Sequence, residues 1–380
     1  MFVTHQISVL LSTMTLTVAL FGVAYCLTQR RHRQVFQVLS LFLTAEAFTV
    51  LGVSLTPAFT GLQVKLVLHA FWLVGIASVA PLLWLYVCSL TSPVPLRVAE
   101  LKWHAILPLI GGLAFVWILF LPAEVRLGLL PDPDRIQGPQ DYFTGRTYEL
   151  VFLIVPFQWA FYLTAITRRL LRYRSRLKDF FASTEQHEMR WISVVVLLYS
   201  GYWAINVGSL IYELATWKIG LIQVIEAFYG LILISVIALW GLRQRRPIDR
   251  DTPASETRTP RYSKSALTKD MSQKIAGQLR NAMARDALYL DPNLSLWSLA
   301  KHIQVPSKYV TQTLNEEIGE SFFDFVSRHR IEAAVARLDN DDATILSIAY
   351  DVGFNSRSSF YSAFKKVMRM TPTAYRKANR

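Results

Sequence analysis

The sequence predicts an all-α protein in two parts: a polytopic membrane helix bundle followed by a small helical domain with two helix-turn-helix units. Three observations predict it. Residues 1–242 hold seven apolar runs that approach or exceed the roughly 20 residues a helix needs to cross a bilayer. Residues 243–265 are polar and broken by Pro247, Pro253 and Pro260, a composition that buries no core and suits a juxtamembrane linker. Residues 266–380 return to amphipathic helical periodicity, and one pattern within them occurs twice, fifty residues apart.

At 380 residues the chain is long enough for two or three domains. The net charge of +13 is shared by both parts, and residues 261–380 carry 18 Lys and Arg against 12 Asp and Glu, a net of +6. That balance favours a polyanionic partner, although basic cytoplasmic loops alone make many membrane proteins basic. The two cysteines, Cys26 and Cys88, lie inside apolar runs and read as small buried side chains, not as a disulfide framework or a metal site. No catalytic constellation, metal-ligand spacing or cofactor motif stands out, so neither an enzyme nor a cofactor is expected. The tail has no glycine-rich phosphate cradle, which argues against a sensor kinase.

The apolar runs fall near 6–28, 35–55, 63–90, 103–121, 148–170, 190–214 and 219–241. The first is followed by Arg30-Arg31-His32-Arg33 and preceded by no Lys or Arg, the reverse of a cleaved signal peptide. With the N-terminus outside, fifteen basic residues fall in inside segments: Arg30, Arg31, Arg33, Arg97, Lys102, Arg168, Arg169, Arg172, Arg174, Arg176, Lys178, Arg190, Arg243, Arg245 and Arg246. Five fall outside: Lys65, Arg126, Arg135, Arg146 and Lys218. This positive-inside bias is expected to place residue 242 onward in the cytoplasm.

Polar residues inside the runs are Glu46, His69, Gln158, Asn206, Glu213, Gln223 and Glu226. Ionisable groups are costly in a bilayer and often mark a site, so Glu46, His69, Asn206 and Glu226 are candidates for sensing a signal. Hydrogen bonds that merely hold helices together are the plainer alternative for each. Pro81, Pro108 and Pro156 are expected to kink their helices. The outside loop 122–147 is rich in Gly, Pro and Asp and is long enough to act as a lid or ligand contact. The basic loop 168–190 is explained by attraction to anionic membrane lipid. Lys218 sits only at the edge of the last run, which disfavours a retinal-type Schiff base, and no inverted repeat supports a transporter.

In the C-terminal part, a helix over 266–290 is expected, with Leu267, Met271, Ile275, Leu279 and Met283 on one face. After Asp291-Pro292-Asn293 comes a short helix over 296–303, a turn at Gln304-Val305, and a second helix from Pro306 to about Glu317. There Val310 and Leu314 point inward, and Lys308, Thr311, Gln312 and Asn315 outward. Ser321-Phe322-Phe323-Asp324 resembles a capping box and opens a helix to about Leu338. Thr344 caps the next. In the following glycine turn and helix, Phe360, Phe364 and Val367 fall on one side and Ser358, Tyr361, Ser362 and Lys365 on the other. Val310 therefore matches Phe360, Leu314 matches Phe364, Lys308 matches Ser358, Thr311 matches Tyr361 and Gln312 matches Ser362. The chain holds two helix-turn-helix units.

Residues 345–377 resemble the signature of AraC/XylS-type transcription regulators. The residues carrying the resemblance are Ile348-Ala349, Val352-Gly353-Phe354, Phe360, Phe364-Lys365-Lys366, Met370-Thr371-Pro372 and Tyr375-Arg376. Leu296, Leu299-Ala300, Leu314-Asn315-Glu316, Gly319, Phe322 and Arg330-Ile331-Glu332-Ala333-Ala334 fit the same family, so the match covers roughly 285–378. The resemblance implies that both recognition helices of one monomer enter successive major grooves of double-stranded DNA. It implies base-edge contacts from Lys308, Thr311, Gln312, Arg357, Ser358, Tyr361 and Ser362, and phosphate contacts from Lys365, Lys366 and Arg376. Two departures matter: Gln304 and Arg369 stand where the family usually has glycine, which suggests a strained first turn and a shifted 370–372.

The expected function is a membrane-anchored one-component regulator that senses an unknown ligand or signal and binds promoter DNA. Its partners would be double-stranded DNA and membrane lipid, with coupling either by a homodimer formed through the spans or by release of a tail clamped near 168–190. The alternative is a membrane receptor or transporter whose tail binds a protein.

Overall fold

The computed structural model describes residues 2–29, 33–55, 58–59, 61–92, 102–120, 154–183, 190–216, 222–242, 267–340 and 343–379. The expected outside loop 122–147 and linker 243–265 lie outside them. The chain divides into two compact units, Met1–Leu170 with Arg190–Arg246 and Leu171–Met189 with Pro247–Arg380. Residues 171–189 thus group with the second unit, which a division by chain order alone did not foresee.

The first unit contains α1 (Phe2–Thr28), α2 (Arg33–Leu55), α3 (Leu62–Thr91), α4 (Ile106–Leu119), most of α5 (Ile154–Leu177), α6 (Arg190–Thr216) and α7 (Ile222–Gly241). Each overlaps one of the seven apolar runs. Among the described residues, five stretches are long and apolar enough to cross a membrane: Thr4–Thr28, Arg33–Leu55, Gln63–Thr91, Trp191–Ser209 and Val224–Gly241. Helix α4 is described over only 14 residues, and α5 ends in a basic stretch with Arg174 and Arg176 in its last turn. Helix α2 packs on α1 and α3, α1 also on α7, and α6 on α7. The α2–α3 approach needs Gly75, because a Cβ there would sit 2.8 Å from the Ala45 carbonyl oxygen and 2.9 Å from the Thr49 nitrogen.

The second unit contains α8 (Lys269–Ala284), α9 (Leu296–His302), α10 (Ser307–Thr313), α11 (Phe322–Asn340), α12 (Ile345–Asp351), α13 (Arg357–Met368) and α14 (Pro372–Ala378). It has two apolar cores strung on α11. Phe322, Phe325 and Val326 join Ile275, Leu279, Leu299, Val310 and Leu314 in the first. Ile331, Ala334 and Leu338 join Ile348, Val352, Phe354, Phe360 and Phe364 in the second. The helix starts are written in the sequence as side-chain caps. Ser295 and Ser298 form a reciprocal capping box, and Thr344, Ser356 and Thr371 each accept a hydrogen bond from the amide three residues on. Ser321 caps α11 through the Asp324 amide at 3.2 Å.

Several expectations need correction. The helix expected over 266–290 ends at Ala284; Ala287 turns left-handed at φ 49°, and a 3-10 turn follows at Leu288–Leu290. Met271 is 47% exposed although it lies one turn before Ile275 on the same face, because it sits in the first turn of α8 where the core has not yet closed over the helix. Helix α10 is short and closes in a π-helical turn, Leu314–Ile318, capped by Gly319 at φ 77°. Pro306 stands at the cap of α10, one residue before the first helical position. Val367 is 38% exposed, and Ala363 takes the place expected for it in the core beside Phe360 and Phe364.

Candidate nucleic-acid interface

The two helix-turn-helix units are α9 with α10 and α12 with α13. In each, the second helix is seated by two apolar side chains four residues apart, Val310 with Leu314 and Phe360 with Phe364, all at most 1% exposed. The opposite face is what each helix presents.

On α13 the outward face carries Arg357, Ser358, Ser362, Lys365 and Lys366, all exposed, with Tyr361 half-buried beside them. The Arg357 guanidinium lies 5.0 Å from the centroid of the Tyr361 ring. The Tyr361 hydroxyl is 3.2 Å from Thr373 Oγ1 on α14. The bond to Thr373, helped by Arg357, holds the phenol below its usual pKa. These links hold Arg357 and Tyr361 side by side on the outward face. Lys366 is spoken for, since its Nζ meets Asp324 Oδ1 on α11 at 2.7 Å.

On α10, Lys308 and Thr311 are half-buried and Asn315 is exposed. The Thr311 hydroxyl donates to the Ser307 carbonyl one turn back, at 3.0 Å. Gln312 is not outward as expected. It is 5% exposed, and its amide donates to Glu316 Oε2 at 2.8 Å. Beyond Thr313 the helix widens into the π-helical turn Leu314–Ile318, so it is not one unbroken α-helix. The first reader thus offers a smaller outward set than the second.

Both positions that depart from glycine adopt the left-handed backbone, Gln304 at φ 55° and Arg369 at φ 60°. The second unit keeps its glycine because it must. A Cβ on Gly353, at φ 92°, would lie 2.6 Å from the Tyr289 carbonyl oxygen and 2.8 Å from that of Leu290. Beside this contact, Arg330 is fully buried and donates to the carbonyl oxygens of Tyr289 and Asp291 at 2.7 Å each. Its role is one that sequence reasoning missed; its place in a run of family residues was the only hint.

The sensing candidates sit on different footings. Tyr199 on α6 donates to Glu46 Oε1 on α2 at 2.5 Å, and the Trp159 ring stacks on Tyr199 at 4.9 Å. Tyr202 lies within electrostatic reach of both Glu46 and Glu226. Glu46 on α2 and Tyr199 on α6 are thus joined directly. Asn206 instead donates to its own helix at the Tyr202 carbonyl, 2.9 Å away, and His69 packs 4.9 Å from the Trp72 ring. Gln158 ties α5 to α3 through the Ala77 carbonyl at 3.0 Å.

Two reader helices, each preceded by a short support helix and joined by one spanning helix, make the C-terminal unit a tandem helix-turn-helix domain. Residues 299–378 match the family model described as a helix-turn-helix domain. A Streptomyces lividans protein whose name describes an AraC-like transcription regulator is 35% identical over 99 residues, 25% of this chain and 32% of that one. The melibiose operon regulatory protein of Escherichia coli K12 is 28% identical over 125 residues, 33% of this chain and 40% of its own. The C-terminal domain of AraT, a response regulator from Geobacillus stearothermophilus, aligns with 30% of this chain and 88% of its own at 26% identity and a TM-score of 0.25. The similarity spans less than half the length of these curated relatives and leaves the apolar first unit outside it.

Proposed function

We propose that this protein is a membrane-anchored transcription regulator that binds promoter DNA with α10 and α13 in successive major grooves and responds to a signal through its N-terminal helices. The observation that carries the reading is the outward face of α13. It combines cationic and hydroxyl side chains on a helix whose other face is locked by Phe360 and Phe364. Arg357, with donors in a fixed fork, suits a guanine edge; Ser358 and Ser362 are short enough to let the backbone approach; Lys365 suits a phosphate. Lys308 and Thr311 are the corresponding contacts of the first reader. Gln312 is the weakest of the proposed base readers, because it must leave Glu316 to reach one.

Membrane anchoring is supported by the five long apolar helices and by outward apolar side chains such as Phe21, Leu27 and Leu197. Sensing is assigned to the Glu46, Tyr199, Tyr202 and Glu226 group, where two carboxylates and several aromatic rings suit a cationic or hydrogen-bonding signal. Asn206, on the same helix as Tyr199 and Tyr202, and His69, on α3, are retained as further candidates. The basic-residue count supports an inner-membrane location with the N-terminus outside and the DNA-binding domain in the cytoplasm.

The test is chromatin immunoprecipitation of the full chain in its host, followed by binding of enriched fragments to protein in nanodiscs. Wild type is expected to enrich discrete sites, Lys308→Ala and Ser358→Arg to alter site preference, and binding to weaken steeply with salt. If no sites are enriched, the tail serves a protein partner instead.

A further inference from the structure

Residues 177–183, which follow α5, are built into the C-terminal unit as though they belonged to its own chain. Three main-chain hydrogen bonds hold them. The Ala182 amide donates to the Leu294 carbonyl at 3.1 Å, Leu296 to the Phe180 carbonyl at 2.9 Å, and Phe323 to the Lys178 carbonyl at 2.9 Å. Leu296 is the first residue of α9 and Phe323 lies in the first turn of α11, where amides have no partner within their own helix. The segment therefore satisfies two helix starts of the DNA-binding domain. Phe181 and Ser295 form an antiparallel bridge. The Phe180 ring lies parallel to Trp297 at 5.3 Å, Phe181 meets the same indole edge-on at 5.6 Å, and Ala182 is buried in the first core.

Arg330 extends the connection. Besides its bonds to Tyr289 and Asp291, its guanidinium donates to the Ala182 carbonyl and to Ser183 Oγ, both at 3.3 Å, and lies 5.4 Å from the Phe354 ring of the second helix-turn-helix unit. One buried cation thus touches the docked segment, the 289–291 turn against which Gly353 packs, and the second core. Upstream, α5 runs unbroken from Ile154 to Leu177, and the amides of Phe180 and Phe181 both fold back onto the Leu177 carbonyl. The hydrogen bonds and ring contacts described above fall on Leu294, Leu296, Trp297, Phe323 and Arg330, and not on Lys308, Thr311, Arg357, Ser358, Ser362 or Lys365.

We propose that residues 177–183 are a docking strand through which α5 acts on the DNA-binding domain, setting the relative orientation of its two readers through Arg330 without covering them. The loop after the fifth apolar helix, and not the 243–265 linker alone, would then carry the signal. The coupling half of this proposal rests on the regulator reading above; the docking half does not.

The experiment uses the full chain in lipid nanodiscs carrying Phe181→Cys and Ser295→Cys in a Cys26→Ala, Cys88→Ala background. Residues facing each other in an antiparallel pair lie within disulfide reach. Mild oxidation is expected to cross-link this pair about tenfold faster, or more, than Phe181→Cys with Ser358→Cys, because a docked partner has a high effective concentration. Equal rates overturn docking. In the host, Phe180→Ala is expected to change transcription of the genes the protein occupies by about fivefold while occupancy stays within about twofold. Unchanged transcription, or occupancy lost in step with it, overturns coupling through the strand. Fast cross-linking with no DNA occupied anywhere leaves docking standing and sinks the DNA-binding reading.

Discussion

Single residues carry measurable strain and satisfaction in this domain. Gln304 and Arg369 hold left-handed backbone without glycine's freedom. Gln304→Gly and Arg369→Gly are each expected to stabilise the protein by about 0.5–1 kcal/mol, the left-handed penalty less glycine's added entropy when unfolded. Thermal denaturation checks this, and a loss of stability in both would show that their side chains repay the strain. Arg330 is the opposite case: with its guanidinium meeting carbonyl oxygens at 2.7 Å, Arg330→Ala leaves buried acceptors bare and should cost about 2–4 kcal/mol. His329 offers a pH readout. Burial first, then the neighbouring Arg328, hold its imidazole below its ordinary value of 6.5, despite Glu332 and Glu320. A histidine with a depressed folded pKa binds its proton more readily when unfolded. Its contribution is therefore present above about 6.5 and is lost as pH falls below it. Stability should fall between pH 7 and 5, and His329→Gln should flatten that slope; an unchanged slope would put the acid sensitivity elsewhere.

At the scale of elements, the reader helices are defined by what seats and caps them. Ser356→Ala removes the cap of α13 and is expected to cost about 1 kcal/mol. Gly353→Ala should cost more, about 2 kcal/mol or above, because a left-handed backbone and a 2.6 Å approach to the Tyr289 carbonyl both forbid a Cβ. Denaturant titration separates the two. Much of this was legible beforehand: the caps at Thr344 and Ser321, the paired apolar seats and the two units on one long helix follow from local patterns, and the strain at Gln304 from the resemblance, which puts glycine there. Other features depend on distant partners or small register changes. Gln312 lies inward with its amide on Glu316, just before the helix widens into a π-helical turn, and Val367 lies outward while Ala363 sits in the core beside Phe360. The docked segment was foreshadowed only as a tail clamped near 168–190, and lipid attraction explained its basic stretch well enough. Its signal was the aromatic pair Phe180-Phe181 beyond the last arginines, but pairing that segment with Ser295 needs more than a hundred intervening residues, a contact no local pattern encodes.

At the scale of the molecule, five long apolar helices and a tandem helix-turn-helix domain share one chain. The Glu46–Tyr199 bond links α2 and α6 in the first unit, among apolar helices. Glu46→Gln or Glu226→Gln is expected to change the expression of bound genes without lowering protein level, as measured by transcript and immunoblot; normal regulation in both would reduce them to packing. The claim that two readers act together on one DNA face is tested most directly by hydroxyl-radical footprinting of the full chain on an enriched promoter fragment. Two protected patches on the same face, centred about 10 base pairs apart, are the expected result. Lys308→Ala should weaken one patch and Ser358→Arg the other, whereas a single patch lost to either substitution would contradict the two-reader account.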